Sequence, residues 1–184
     1  MSFSKPTHGE AVIVTNPFTA ADVAVILRQR GWLAESQISE AHNSWIERAV
    51  AILGSHAADR AALGELLSLI FHYDAREILA RTESHAVLAR YGARDALRRL
   101  ALVLLDGRAL DSERFKEIIT AMKQESDLRS RDLFHPIRLA LAGRVGDGEL
   151  DRVILLLDDA AALPFSVPVK SARTRILEFC SVLD

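Results

Sequence analysis

Leu133-Phe-His-Pro-Ile-Arg-Leu-Ala-Leu-Ala-Gly-Arg144 sets a proline, an internal arginine and a glycine at fixed offsets in an otherwise apolar stretch. Pro136 suits the first turn of a helix, where its missing N–H is not needed, and Gly143 suits the end, where a left-handed residue closes the last turn. Between them Ile137, Leu139, Ala140 and Leu141 supply a buried stripe. Arg138 is left as the one side chain of that turn that must find water, a carboxylate or an anion.

Working outward, helical spacing recurs and strand alternation does not. Thr19 suits an N-cap, Val23, Ile26 and Leu27 share a face, and Gly31 stops the run. A second helix is expected from Ser39 to Leu53, with Trp45, Ala49 and Ile52 on one side and Gly54 ending it. Asp59 caps a third that carries Leu63, Leu66, Leu67 and Ile70. Further helices are expected over Ala75 to Arg90, Arg94 to Leu105, Asp111 to Ser126, Pro136 to Gly143, Glu149 to Leu157 and Lys170 to Leu183. The short run Ala11-Val-Ile-Val14 reads as a strand or a docked arm. The chain is therefore all-α, with residues 1–18 as an N-terminal arm. Asp106-Gly107 divides two small helical subdomains, 19–107 and 108–184, stacked as a bundle or superhelix. A nucleotide-binding parallel sheet is excluded by the missing strand–helix alternation.

The chain has 184 residues and is 49% hydrophobic, enough for a core without staples. Its formal net charge of −2 fits an ordinary globular protein and lacks the strongly basic footprint of a stand-alone nucleic-acid binder, DNA-binding proteins included. Four of the 23 basic residues are lysines, which leaves nineteen arginines, the residue that pairs bidentately with phosphate and stacks on bases. Cys180 is the only cysteine, so a reducing cytoplasm is expected and no cysteine-based zinc site can form. No run reaches the ~18 apolar residues of a membrane span. The six histidines make no His-x-x-x-His pair, the acidic run Asp147 to Asp159 does not converge, and no metal or other cofactor is expected.

The opening segment resembles the closing motif of the bacterial glutamyl-tRNA synthetases, class I enzymes whose C-terminal anticodon-binding region reads roughly Phe-x-Pro-Leu-Arg-x-Ala-Leu-Thr-Gly. The likeness continues through Gly146-Asp-Gly-Glu-Leu150, where the family has a turn and a Pro-Gly-Leu-Phe-like helix start. It extends to Lys170-Ser-Ala-Arg-Thr-Arg-Ile-Leu177, which is similar to Gly-Lys-x-x-x-x-Arg-x-Leu. Upstream, Leu63 to Asp74 resembles an apolar helix followed by Phe-x-x-Asp. The enzymes' His-x-Gly-His and Lys-Met-Ser-Lys-Ser motifs have no counterpart here, so the resemblance implies a non-catalytic, RNA-reading module. Its partner would be tRNA, glutamate tRNA in the first instance, or the catalytic domain of a synthetase. A protein-interaction scaffold that has lost RNA, or one half of a split synthetase, are the alternatives.

By that resemblance Arg138 stands where the family arginine contacts an anticodon base, and Asp147 and Leu150 stand at two further contacts. Ala142 replaces the usual threonine, Asp147 a threonine-like donor, and Glu149 a glycine. For Arg138, base contact and a salt bridge to a neighbouring helix are both open. Arg144, past the helix end, is solvated or faces phosphate, and Asp147 has a turn or N-cap role as its plainer reading. Arg90, Arg94, Arg98, Lys170 and Arg175 are candidate phosphate contacts, set against a solvated, carboxylate-interleaved face for the first three. His135 either packs the helix entry or touches RNA.

Overall fold

A computed structural model describes residues 16–183, and among them every regular element is helical. The expected strand or arm at Ala11 to Val14 lies outside the described residues. α1 (Ala20–Gln29) opens on a capping box in which Thr19 and Asp22 satisfy each other's backbone N–H groups, and Gly31 follows it at φ 72°. α2 (Glu40–Leu53) is capped in the same way by Ser39 and His42. In α3 (Arg60–Phe71) the Asp59 carboxylate accepts from the Ala62 N–H at 2.8 Å. Ahead of α1, Asn16 donates to the Val50 carbonyl at 2.7 Å, which ties the chain entry to α2.

The helix expected over Ala75 to Arg90 is two: α4 (Ala75–Leu79) and α5 (Thr82–Leu88). Arg81 between them is extended, and the buried Ser84 hydroxyl takes the Ile78 carbonyl at 2.6 Å, replacing a rung of the helical ladder. No glycine or proline marks that break. α6 (Ala93–Leu104) and α7 (Ser112–Glu125) follow, the second capped by Asp111. α8 (Ser130–Ala142) begins six residues before Pro136, which therefore sits mid-helix, not in the first turn. Its ring offers no N–H to the carbonyl of Asp132, so one rung is missing where Pro136 is buried. Gly143 ends the helix at φ 76° as expected. The span expected as one helix over Glu149 to Leu157 is also divided, into α9 (Gly148–Ile154) and α10 (Leu157–Ala161). α11 (Ala172–Leu183) closes the chain, and Asp158 of α10 accepts from both the Ala172 N–H and the Leu110 N–H, at 2.7 and 2.6 Å.

α6, α8 and α11 form the centre, with α4 against α11 and α9 bridging α8 to α2 and α3. One apolar core runs from Val23 to Phe179, with members on both sides of residue 107. Burying a leucine such as Leu97 or Leu100, both fully inside, stabilises by roughly 2 kcal/mol, and cutting either to alanine costs about 2–5 kcal/mol. At one end Trp32 stacks on Phe71 at 4.5 Å, while Trp45 and Phe165 meet Phe71 edge-on.

Arginine closes the helix ends. The last carbonyls of a helix have no partner within it. Arg81 donates to the Gly143 carbonyl after α8, Arg48 to Leu155 after α9, and Arg114 to Val103 at the end of α6. Arg175, fully buried, donates to Leu69 and Ile70 in the last turn of α3, to Leu141 in the last turn of α8, and to Lys170. Burial lowers its pKa to about 10, which leaves it charged at neutral pH. Tyr73 lies under this guanidinium at 4.6 Å and donates to the Ala140 carbonyl at 2.6 Å.

Candidate nucleic-acid interface

Arg138 lies in the penultimate turn of α8 and Asp151 in the first turn of α9. The guanidinium meets that carboxylate as a two-pronged fork: Nε donates to Oδ1 at 2.8 Å and Nη2 to Oδ2 at 2.7 Å. Nη1 donates to the Gly146 carbonyl at 2.9 Å, and the ring of Phe134, one turn earlier, lies 4.8 Å from the guanidinium carbon. With side chains 11% and 22% exposed, the pair is mostly withdrawn from water. Of the two readings left open by the sequence, the salt bridge to a neighbouring helix is the one formed. Its effect is to fasten the turn 143–148 within itself at Gly146 and beyond it at Asp151, through three hydrogen bonds.

That turn presents Arg144 and Asp147 to solvent. Gly143 cannot carry a side chain cheaply, since its left-handed backbone would press a Cβ to 3.1 Å from Ile78. Asp147 occupies the N-cap position of α9 without a side-chain capping bond, and its N–H reaches the Glu149 carboxylate at 3.3 Å. Leu150 is fully buried and offers no surface on which a base could rest; its helical spacing with Val153 and Ile154 puts it in the core.

Beside the turn, the outer face of α8 carries Arg131, His135 and Arg138, spaced i, i+4 and i+7. Arg90, at the end of α5, donates to the His135 Nδ1 at 3.2 Å and lies 3.6 Å from the Asp132 carboxylate. Burial, then Arg90, Arg131 and Arg138, push the His135 pKa below its ordinary value, with Asp147 opposing. His135 thus lies among three guanidinium groups, two of which already face carboxylates, Arg90 that of Asp132 and Arg138 that of Asp151. Arg131 was not among the residues singled out from sequence, because a helix opened at Pro136 leaves it outside. The 131, 135, 138 spacing would have found it.

The remaining phosphate candidates separate into two kinds. Arg94 and Arg98 are exposed on α6, the first 3.5 Å from the Leu183 carbonyl and the second 3.6 Å from Asp95. Lys170 and Arg175 are occupied by partners within the fold, Arg175 fully buried and Lys170 half-buried. Lys170 is bound to Glu178 at 2.6 Å and the Tyr73 carbonyl at 3.2 Å, and Arg175 serves four carbonyls with no exposed surface. Their matching spacing reflects a helix-end clamp, and we set both aside as phosphate contacts. Among the described residues no group of three or more His, Cys, Asp or Glu could hold a metal ion, and no helix is long and apolar enough to cross a membrane.

Compared with known proteins, residues 21–161 match the family described as anticodon binding domain. The chain is 27% identical over 143 residues to a glutamate–tRNA ligase of Bacillus pumilus, covering 74% of this chain and 28% of that protein. It is 23% identical over 145 residues to glutamate–tRNA ligase 2 of Syntrophus aciditrophicus, covering 74% and 28%. With the glutamate–tRNA ligase of Bacillus subtilis it shares 24% identity over 135 residues, covering 73% and 27%. The chain thus spans little more than a quarter of the length of the curated relatives it matches. No solved structure matches it.

Proposed function

The chain belongs to the anticodon binding domain family, and from that premise we propose that it binds tRNA, glutamate tRNA first, through the α8–α9 turn and the adjoining face of α8. The observation that carries this reading is the Arg138–Asp151 fork, which ties down the turn bearing the exposed Arg144, at the end of the helix whose outer face carries Arg131 and His135 with Arg90 against it. Arg144, Arg131 and Arg90 attract the backbone phosphates. Arg138 acts as a positioning residue, setting the turn without meeting the RNA directly. Asp147, an exposed acceptor, favours a base edge that carries N–H donors and repels phosphate. The role is non-catalytic, and glutamate activation belongs to a catalytic domain supplied separately or to another part of a longer protein.

A gel shift against purified glutamate tRNA and total tRNA at about 50 and about 200 mM salt tests this. Binding at low salt that weakens steeply at the higher salt supports it, and no shift at low salt overturns it. A second reading, docking on a protein partner such as a synthetase catalytic domain, is favoured by Leu102, Val103 and Leu105. These are 67%, 42% and 47% exposed at the end of α6. Mixing with a glutamate-activating catalytic fragment separates the two: restored aminoacylation supports docking, and an inert mixture counts against it.

A further inference from the structure

Resting on the RNA-binding reading, we propose that Arg81 is a positioning residue for the α8–α9 turn. It locks the peptide that leads into Arg144, and the break between α4 and α5 is what brings it there. The turn needs Gly143 in the left-handed region, at φ 76°, to stop α8. That requirement carries a weakness, because glycine has no Cβ to restrict its backbone and the Gly143–Arg144 peptide can rotate at little steric cost. The peptide is planar, so the direction of its carbonyl decides where the Cα of Arg144 stands. Packing alone does not fix that carbonyl, since a cavity of about 60 Å3 adjoins Gly143, lined also by Tyr73, Ile78 and Arg81. A hydrogen bond does: Arg81 Nη1 donates to the Gly143 carbonyl at 2.9 Å, from a residue 62 positions away in sequence.

At the other end of the turn Arg138 Nη1 holds the Gly146 carbonyl, also at 2.9 Å. Arg144 and Val145 therefore lie between two glycine carbonyls, each held by an arginine from outside the turn. Arg138 and its partner Asp151 belong to α8 and α9, the helices that the turn joins. Arg81 ties the same turn to a third part of the chain, and so orients it relative to the rest of the fold.

The break supplies this contact. α4 ends at Leu79, Arg81 is extended at φ −79° and ψ 141°, and α5 begins at Thr82. Across the break the buried Ser84 hydroxyl donates to the Ile78 carbonyl at 2.6 Å. Ile78 is also the side chain nearest to a Cβ placed on Gly143, at 3.1 Å. One irregularity thus sets both an apolar support and a polar clamp against the glycine that the RNA-facing turn cannot do without.

The experiment compares the whole chain with Arg81→Ala and Arg81→Lys. It reads the tRNA gel shift between about 50 and about 200 mM salt, and the 15N spectra of the Arg144, Val145 and Gly146 amides without RNA. Arg81 is exposed, so both variants should melt close to the parent. In free Arg81→Ala the three amides should shift and broaden, and in Arg81→Lys, whose ammonium can also donate to a carbonyl, they should stay near the parent's. Affinity for glutamate tRNA should fall about two- to fivefold in Arg81→Ala, the equivalent of one hydrogen bond. The salt slope should not change, because no phosphate contact is lost. Added to Arg144→Ala, the same substitution should cost less than about twofold more. A slope reduced by about one, or a full further loss on top of Arg144→Ala, would make Arg81 a phosphate contact and overturn the proposal. Amides identical to the parent's, or unchanged affinity in Arg81→Ala, would overturn it as well. Should the parent itself fail to shift tRNA at low salt, the RNA reading falls, and the amides alone decide whether Arg81 sets the turn.

Discussion

Arg175 and Arg144 mark the extremes of what an arginine does in this fold. The first is sealed in the core and spends its donors on carbonyls of α3, α8 and Lys170; the second stands in water beyond the end of α8. Nothing in residue type separates them. The difference lies in what each position faces, since a guanidinium that meets orphaned helix-end carbonyls is consumed by them, while one past the end of a capped helix has no internal acceptor left. Arg138 falls between, nearly buried, with its fork on Asp151 and its third nitrogen on Gly146.

The comparison breaks most readily at Arg175. Arg175→Ala leaves three helix-end carbonyls buried without a donor and opens a cavity beside Tyr73, and should cost about 3–5 kcal/mol in urea unfolding. An unchanged midpoint would show that water replaces the guanidinium without loss. Next is Arg138→Ala, expected to cost about 2 kcal/mol. A double-mutant cycle with Asp151→Asn should return a coupling near 1–2 kcal/mol, and a coupling near zero would mean that the fork does not hold the turn. Arg144→Ala should alter stability by less than about 0.5 kcal/mol. It should lower tRNA affinity severalfold and reduce the magnitude of the salt slope by about one, whereas an unchanged slope would remove Arg144 from the contact.

The smallest effect concerns pH. Burial and three arginines hold the His135 pKa below its usual 6.5 in the free chain. A bound phosphate opposes them and raises it. Binding therefore takes up protons, and affinity should increase as pH falls from about 7.5 to about 5.5, by less than the tenfold per unit that one whole proton allows. His135→Gln should flatten that dependence, and the same slope in the variant would assign it to another group.

The helical class, most caps and the core stripes were legible because their signals are local. Thr19 and Asp59 cap as expected, Ser39 and Asp111, expected as helix starts, are the caps of those helices, and Gly143 is left-handed where a helix must stop. The divisions at Arg81 and Leu155 were not legible, because they depend on Ser84 reaching back to Ile78 and on the packing of α9 and α10. Pro136 misled for a related reason: its preference for a first turn is an average, and here burial in the centre of α8 outweighs one missing hydrogen bond. Among the site candidates, proximity in sequence identified the Arg138 neighbourhood but could not tell a contact residue from a clamp. Lys170 and Arg175 required the three-dimensional position of α3, about a hundred residues away in sequence, to be understood.

Every acceptor in the Arg175 hub is a main-chain oxygen. A carbonyl stays in place whatever side chain its residue bears, so positions 69, 70, 141 and 170 are free to exchange residues of fitting size without deleting a single bond to the guanidinium. Position 175 has no such freedom. The fold's tolerance to mutation is thereby made lopsided: one codon carries a constraint that would fall on five if the partners were side chains, and the helices around it can diverge while their junction stays fixed.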